Sequence, residues 1–177
     1  MINYLATQKN WQNAFSDTIT SFAELAQALD LPIDSFDSQV GQFPLKVPRR
    51  FVQKMGKGDI HDPLLKQVLP TFQETVQVTG FVTDPLDEQH ANPVKGIIHK
   101  YASRVLIPVT GACVVNCRYC FRQHFDYHEN LPTQNDWQAI SAYITAHPAV
   151  NEVILSGGDP LSLSNRRLLE IFTTLEA

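Results

Sequence analysis

The chain has 177 residues, 44% of them hydrophobic and 18% charged, with a formal net charge of −4. Those values describe a globular chain with room for a core and exclude the disordered and collagen-like classes. Lys and Arg are scattered rather than gathered into a stripe that tracks a phosphate backbone, so no direct nucleic-acid partner is expected.

In chain order, Met1 to Asn10 lacks the charged-then-apolar pattern of a secretory signal, and no later apolar run reaches the roughly 20 residues that span a bilayer. The expectation is a cytoplasmic protein with no membrane partner. Ser21-Phe22-Ala23-Glu24 has capping-box spacing and opens a helix carrying Leu25 and Leu29, with Leu31 before the stop at Pro32. Asp37 to Gly41 reads as a loop. Pro48 and Pro63 stand where prolines open helices, in Pro48-Arg49-Arg50-Phe51-Val52 and Asp62-Pro63-Leu64-Leu65. Leu64, Leu65, Val68 and Leu69 form one apolar face, and Arg49 and Arg50 read as solvated helix charges. From Pro70 to Gly96 turn formers recur without a sustained period, as in an ordered wrap.

At Val105 the character changes. Val105-Leu106-Ile107-Pro108-Val109 is a short β-branched run consistent with a buried strand, although Pro108 weakens central pairing of its last residues. Thr133-Gln134-Asn135-Asp136 caps a helix carrying Trp137, Ile140, Tyr143 and Ile144 that ends near Pro148. A second strand, Glu152-Val153-Ile154-Leu155-Ser156, runs into Gly157-Gly158-Asp159-Pro160. Ser164 then caps a helix with Leu168, Leu169, Ile171 and Phe172 on its apolar side. The expected fold class is α/β: a helical N-terminal region and wrap over 1–96, then over 97–177 the start of a βα barrel, with chemistry at the C-terminal ends of its strands.

The three cysteines all lie between positions 113 and 120. They cannot form a distributed disulfide framework and read as ligands of one metal centre in a reducing compartment. The loop Thr110-Gly111-Ala112-Cys113-Val114-Val115-Asn116-Cys117-Arg118-Tyr119-Cys120-Phe121-Arg122 has CxxxCxxC spacing. Three thiolates on one loop suit three irons of a cubane and leave the fourth open. Spacing alone leaves room for a zinc site completed by His124 or His128. Gly157 and Gly158 either let a ligand approach the backbone closely or simply make a tight turn.

The loop, with a glycine turn after the next strand, resembles the radical S-adenosylmethionine superfamily. The resemblance implies that Cys113, Cys117 and Cys120 bind a [4Fe-4S] cluster whose open iron takes S-adenosyl-L-methionine. It also implies that Tyr119 lies against the adenine and that Gly157, Gly158 and Asp159 meet the methionine part. Beyond the loop, Phe43-Pro44-Leu45-Lys46-Val47-Pro48-Arg49, Lys57-Gly58-Asp59, Asp62-Pro63-Leu64-Leu65-Lys66-Gln67-Val68-Leu69-Pro70 and Thr83-Asp84-Pro85-Leu86 resemble lysine 2,3-aminomutases. Cys117-Arg118-Tyr119-Cys120-Phe121-Arg122-Gln123-His124-Phe125 and Ser156-Gly157-Gly158-Asp159-Pro160-Leu161 are most similar to the subgroup that makes (R)-β-lysine for modification of elongation factor P.

The family implies an isomerase converting L-α-lysine to β-lysine: a radical from S-adenosylmethionine takes hydrogen from the β-carbon while pyridoxal 5'-phosphate holds the migrating nitrogen. The cofactors carry the difficult chemistry. Arg122 matches the arginine that binds the substrate carboxylate, a suitable partner for its two-pronged donor. Lys100, Tyr101 and Arg104, after His99, match a region that holds pyridoxal phosphate; better-known members have arginine at the Lys100 position, so Lys100 offers a point charge only. The implied partners are lysine, an electron donor, and functionally elongation factor P with its lysyl-transfer enzyme. Family members continue to a lysine that anchors pyridoxal phosphate and to acidic residues for the substrate amine, and none is matched here. The expectation is therefore a partial barrel, from a truncated product, a fragment or a split gene, inactive by itself. A glutamate 2,3-aminomutase and a non-catalytic zinc or iron–sulfur module stand as alternatives.

Overall fold

The computed structural model describes residues 16–37, 40–41 and 43–176. The segment Met1 to Asn10, and positions 38 and 39 of the expected loop, lie outside the described residues. The chain forms two compact units, one from residues up to Phe81 together with Val114–Gln123, the other from Val82–Cys113 and His124 onward.

In the first unit, β1 (Thr18–Ile19) pairs antiparallel with β2 (Val47–Pro48), and α1 (Phe22–Leu29) and α2 (Arg49–Val52) follow them in sequence. Helix α1 starts where the capping-box reading puts it, after Ser21, but the Ser21 side chain makes no cap bond. The Glu24 carboxylate, the other half of that box, is taken by Arg49. Arg49 also reaches Asp17 at 3.0 Å, which corrects its reading as a solvated charge. Helix α1 ends on Asp30 in the left-handed region (φ 55°), a conformation a short polar side chain tolerates better than most. Pro48 precedes α2 as expected, whereas the segment after Pro63 closes only a 3-10 turn, Leu65–Gln67. The Asp62 carboxylate holds that turn, accepting from the backbone N–H groups of Gly56 (2.9 Å), Leu64 (2.8 Å) and Leu65 (3.0 Å). Ile19, Leu25, Leu29, Val47, Leu65 and Val68 are buried at the centre of this unit's core, each contributing about 2 kcal/mol through removal from water.

The second unit is built on a three-stranded sheet of order β3 (Ile98–Tyr101), β4 (Arg104–Thr110), β5 (Glu152–Gly157). Strand β4 is central, antiparallel to β3 and parallel to β5. Its apolar run pairs with β5 through Pro108, where the register becomes irregular before Thr110 meets Gly157; proline has no N–H to give the ladder. The hairpin strand β3 has no counterpart in the sequence reading. The short helix α3 (Tyr127–Asn130) follows β4, and Val105 and Ile107, two apart on one face of β4, pack with Trp137 and Ile140 of α4 (Asp136–Thr145) and Ile171 of α5 (Asn165–Glu176). Ser164 caps α5 as expected, its Oγ accepting from Arg167 N–H at 3.2 Å. The buried stripe of α5 differs from the expected one: Ile171 is buried and Leu175 packs on the core, while Leu169 and Phe172 are exposed. From Pro70 to Gly96 there are only short 3-10 turns and a single bridge, Val94 with Ile97, as the absence of a period predicts. The architecture is mixed α/β with small sheets, containing one parallel strand–helix–strand step. Among the described residues no helix is long and apolar enough to cross a membrane.

Candidate iron–sulfur site

Strand β4 delivers the chain to Cys113, and the glycine turn fixes the approach to it. Gly157 adopts φ +115°, and a Cβ there would sit 2.2 Å from the Thr110 carbonyl oxygen. A Cβ on Gly158 would sit 2.4 Å from the Ala112 oxygen. The Gly158 N–H donates to Thr110 O (2.6 Å) and the Asp159 N–H to Ala112 O (2.8 Å). The side-chain space of both glycines is thus filled by the chain's own backbone, where two strand ends approach closely. The Asp159 carboxylate accepts from Leu161 N–H at 3.1 Å and so opens the Pro160–Ser162 turn.

Residues 114–123 belong to the first unit and are tied into it by side chains and main chain alike. Val115 packs on its core. The Asn116 N–H donates to Lys46 O (2.9 Å) and its amide to Pro44 O (3.0 Å). Arg118 Nε donates to Glu74 Oε1 at 2.9 Å, with a second, shorter contact from Nη2 to Glu74 Oε2, and Nη2 also reaches Phe43 O at 3.1 Å. Neither Arg118 nor Glu74 is singled out by the sequence reading; they lie 44 positions apart, and only the placement of Arg118 between two cysteines hints at a role.

Cys117 and Cys120 bracket a tight turn, the Cys120 N–H bonding Cys117 O at 3.1 Å. Tyr119 is 74% exposed. A hydrogen bond to Cys117, then the negative charge of a thiolate there, push its phenol above the ordinary value, with desolvation and a Cys120 thiolate adding to the effect. Arg122 is buried, 6% exposed, with its guanidinium 4.8 Å from the Phe121 ring centroid. All three cysteines are half-buried thiols and no disulfide involves them. Among the described residues no three His, Cys, Asp or Glu side chains converge closely enough to hold a metal ion. His128, one candidate for completing a zinc site, is exposed and paired with Glu129 at 3.1 Å. The donor set nonetheless fits an iron–sulfur cluster in its chemistry, since thiolate sulfur is the characteristic ligand of such clusters.

Lys100, Tyr101 and Arg104 are brought together elsewhere, at the β3–β4 hairpin. Arg104 pairs with Glu152 at 3.2 Å, Lys100 donates to the Leu86 carbonyl, and Tyr101 is 67% exposed. This hairpin lies at the start of β4 and Cys113 follows its end, so a seven-residue strand, roughly 20 Å, separates the two groups.

Residues 102–177 match the model of a 4Fe-4S single cluster domain, which defines the class of the second part of the chain as an iron–sulfur protein. Most of the chain also aligns with curated relatives named L-lysine 2,3-aminomutase. That of Haemophilus influenzae is 44% identical over 172 residues, covering 96% of this chain and 51% of the relative. The protein of Escherichia coli K12 is 43% identical over 175 residues (97% and 51%), and that of Clostridium subterminale 30% identical over 175 residues (96% and 42%). Over the span they share, the chain is similar to lysine 2,3-aminomutases. It spans about half the length of the first two of these relatives.

Proposed function

We propose that this chain is part of a radical S-adenosylmethionine isomerase that moves the amino group of L-lysine from the α- to the β-carbon. The observation that carries the reading is the coincidence of an unbroken CxxxCxxC loop, inside a matched 4Fe-4S domain, with 44% identity over 172 residues to a lysine 2,3-aminomutase. In this reading Cys113, Cys117 and Cys120 hold the cluster, and the strands β4 and β5 are the first two of a parallel barrel. The cofactors supply, when bound, the electron transfer, the hydrogen-abstracting group from S-adenosylmethionine and the carbonyl of pyridoxal phosphate that carries the migrating nitrogen.

The chain's own residues bind and orient. The exposed Tyr119 ring, beside Cys117, offers a face to the adenine, and the turn at Gly157, Gly158 and Asp159 borders the methionine end. Arg122 receives the substrate carboxylate, and its burial strengthens a charged two-pronged contact. Lys100, Tyr101 and Arg104 attract the phosphate of pyridoxal phosphate, at a hairpin a strand's length from Cys113 where Arg104 also holds Glu152. A soluble cytoplasmic setting, an electron donor and delivery of β-lysine to the elongation factor P pathway complete the reading.

Anaerobic reconstitution of the chain with iron and sulfide tests it. The expected product is brown, with a single [4Fe-4S] cluster per chain, and Cys113→Ala, Cys117→Ala and Cys120→Ala each abolish it. A colourless chain that takes zinc, or a Cys117→Ala variant with a full cluster, refutes the assignment.

A further inference from the structure

We propose that Arg118 and Glu74 are a positioning pair that sets the Cys117–Cys120 turn for cluster binding, an inference that rests on the cluster assignment above. Arg118 stands between two half-buried cysteines, yet its own side chain is only 8% exposed and Glu74's 19%. The guanidinium is engaged on several sides: both Glu74 carboxylate oxygens, the Phe43 carbonyl at 3.1 Å, the Pro44 carbonyl at 3.4 Å, and the Phe43 ring at 4.9 Å. Its backbone N–H is fixed as well, to Gln67 O at 2.8 Å. Glu74 is anchored in turn, its Oε1 accepting from the Thr71 N–H at 3.3 Å.

Stability alone gives a weak reason for such a pair. Removing two charges from water costs about as much as their attraction returns, and an apolar pair of equal size often serves a core better. Val115 and Asn116 already tie the loop to this unit. What the planar fork adds is direction: with Arg118 held through side chain and backbone, the adjoining Cα of Cys117 is placed within a single peptide's length of about 3.8 Å. The Cys120 N–H to Cys117 O bond then passes that placement to the second thiol. Outer partners of metal ligands act in this way, and their loss typically costs about 10- to 100-fold in metal affinity.

The test uses the full chain, reconstituted anaerobically with iron and sulfide. Iron and sulfide per chain, the electron paramagnetic resonance spectrum of the reduced cluster, and the rate of iron loss to a chelator are measured for wild type, Arg118→Gln, Arg118→Lys and Glu74→Gln. Val52→Ala serves as control, since Val52 is buried in the core of the same unit and is neither a cysteine-loop residue nor a partner of Arg118 or Glu74. Arg118→Gln and Glu74→Gln are expected to lose iron about ten-fold faster and to show an altered spectrum. Arg118→Lys, which keeps a charge and a single prong, falls between. Val52→Ala lowers the melting temperature with wild-type iron retention. The proposal is overturned if both glutamine variants keep the wild-type spectrum and loss rate, or if their loss rates follow melting temperature on the same line as Val52→Ala. Should Arg118→Gln fail to fold, the shape-preserving Glu74→Gln decides. A wild-type chain that takes up no cluster refutes the cluster assignment itself, a result distinct from variants that match a loaded wild type.

Discussion

The two flanks of the cysteine loop are secured by different means. Before Cys113, Thr110 and Ala112 are held through main-chain atoms, with the Gly158 and Asp159 N–H groups donating to their carbonyls. After it, residues 115–118 add side-chain anchors to the main-chain bonds of Asn116 and Arg118, with Val115 in a core, Asn116 on a carbonyl and Arg118 on a carboxylate. A main-chain junction is indifferent to side-chain chemistry but admits no added atom, whereas a side-chain anchorage can be weakened by degrees. Sensitivity to substitution should therefore be all-or-none on one flank and graded on the other.

The largest effect expected is at the junction. Gly158→Ala and Gly157→Ala force a Cβ to within 2.4 and 2.2 Å of a carbonyl oxygen, so each should destabilise the second unit by about 3 kcal/mol. Gly58 also has positive φ (+69°) but nothing within 4 Å of its Cβ position; Gly58→Ala should cost about 1 kcal/mol, from the left-handed conformation alone. Urea unfolding followed by circular dichroism compares them. Equal costs at Gly58 and Gly158 would break the contrast between a filled and an open glycine.

Next in size is a pH effect in the first unit, where the Asp62 side chain again organises main chain. N–H groups of Gly56, then Leu65 and Leu64, hold its carboxyl below the ordinary value of 3.8. As pH falls the unfolded chain takes up this proton first, so the contribution is complete above the ordinary value and is lost as pH descends through the folded one. The stability gap between wild type and Asp62→Asn should be flat near neutrality and close in acid. Urea midpoints measured from pH 7 down to about 3 check this, and a gap that persists unchanged in acid would show that the amide, rather than the lost charge, is responsible.

The smallest effect separates two helix starts that look alike in sequence. Ser164→Ala removes an Oγ that accepts from Arg167 N–H and should cost about 1 kcal/mol. Ser21 makes no side-chain cap bond, so Ser21→Ala should leave the melting temperature unchanged within error. A matching loss at Ser21 would mean that its hydroxyl caps α1 in solution.

That pair also shows what a sequence can and cannot reveal. Strands β4 and β5 were legible because an apolar β-branched run reads the same whatever lies beside it, and the Ser164 cap because its partner is three residues away. Ser21 has the same local pattern, but Glu24 is taken by Arg49, 25 positions further on, and no local rule encodes that competition. Strand β3 is not legible in the sequence because Ile98-His99-Lys100-Tyr101 has little apolar content of its own and is strand only through β4. On α5 four closely spaced apolar residues left the phase of the buried stripe open until the core chose Ile171. In the candidate site the cysteines announce themselves by spacing, and the glycine pair by composition. The use of those glycines depends on where Thr110 and Ala112 lie, and the Arg118–Glu74 contact on two segments meeting across 44 positions.

The junction that leads to Cys113 carries its own reporter. The Gly158 and Asp159 amides point their hydrogens at carbonyls on the neighbouring strand end, so deuterium from solvent enters them only while the ends of β4 and β5 stand apart. Their exchange rates count how often that parting happens. They register excursions too rare to alter an average structure, on the minutes-to-hours scale at which a protected amide opens.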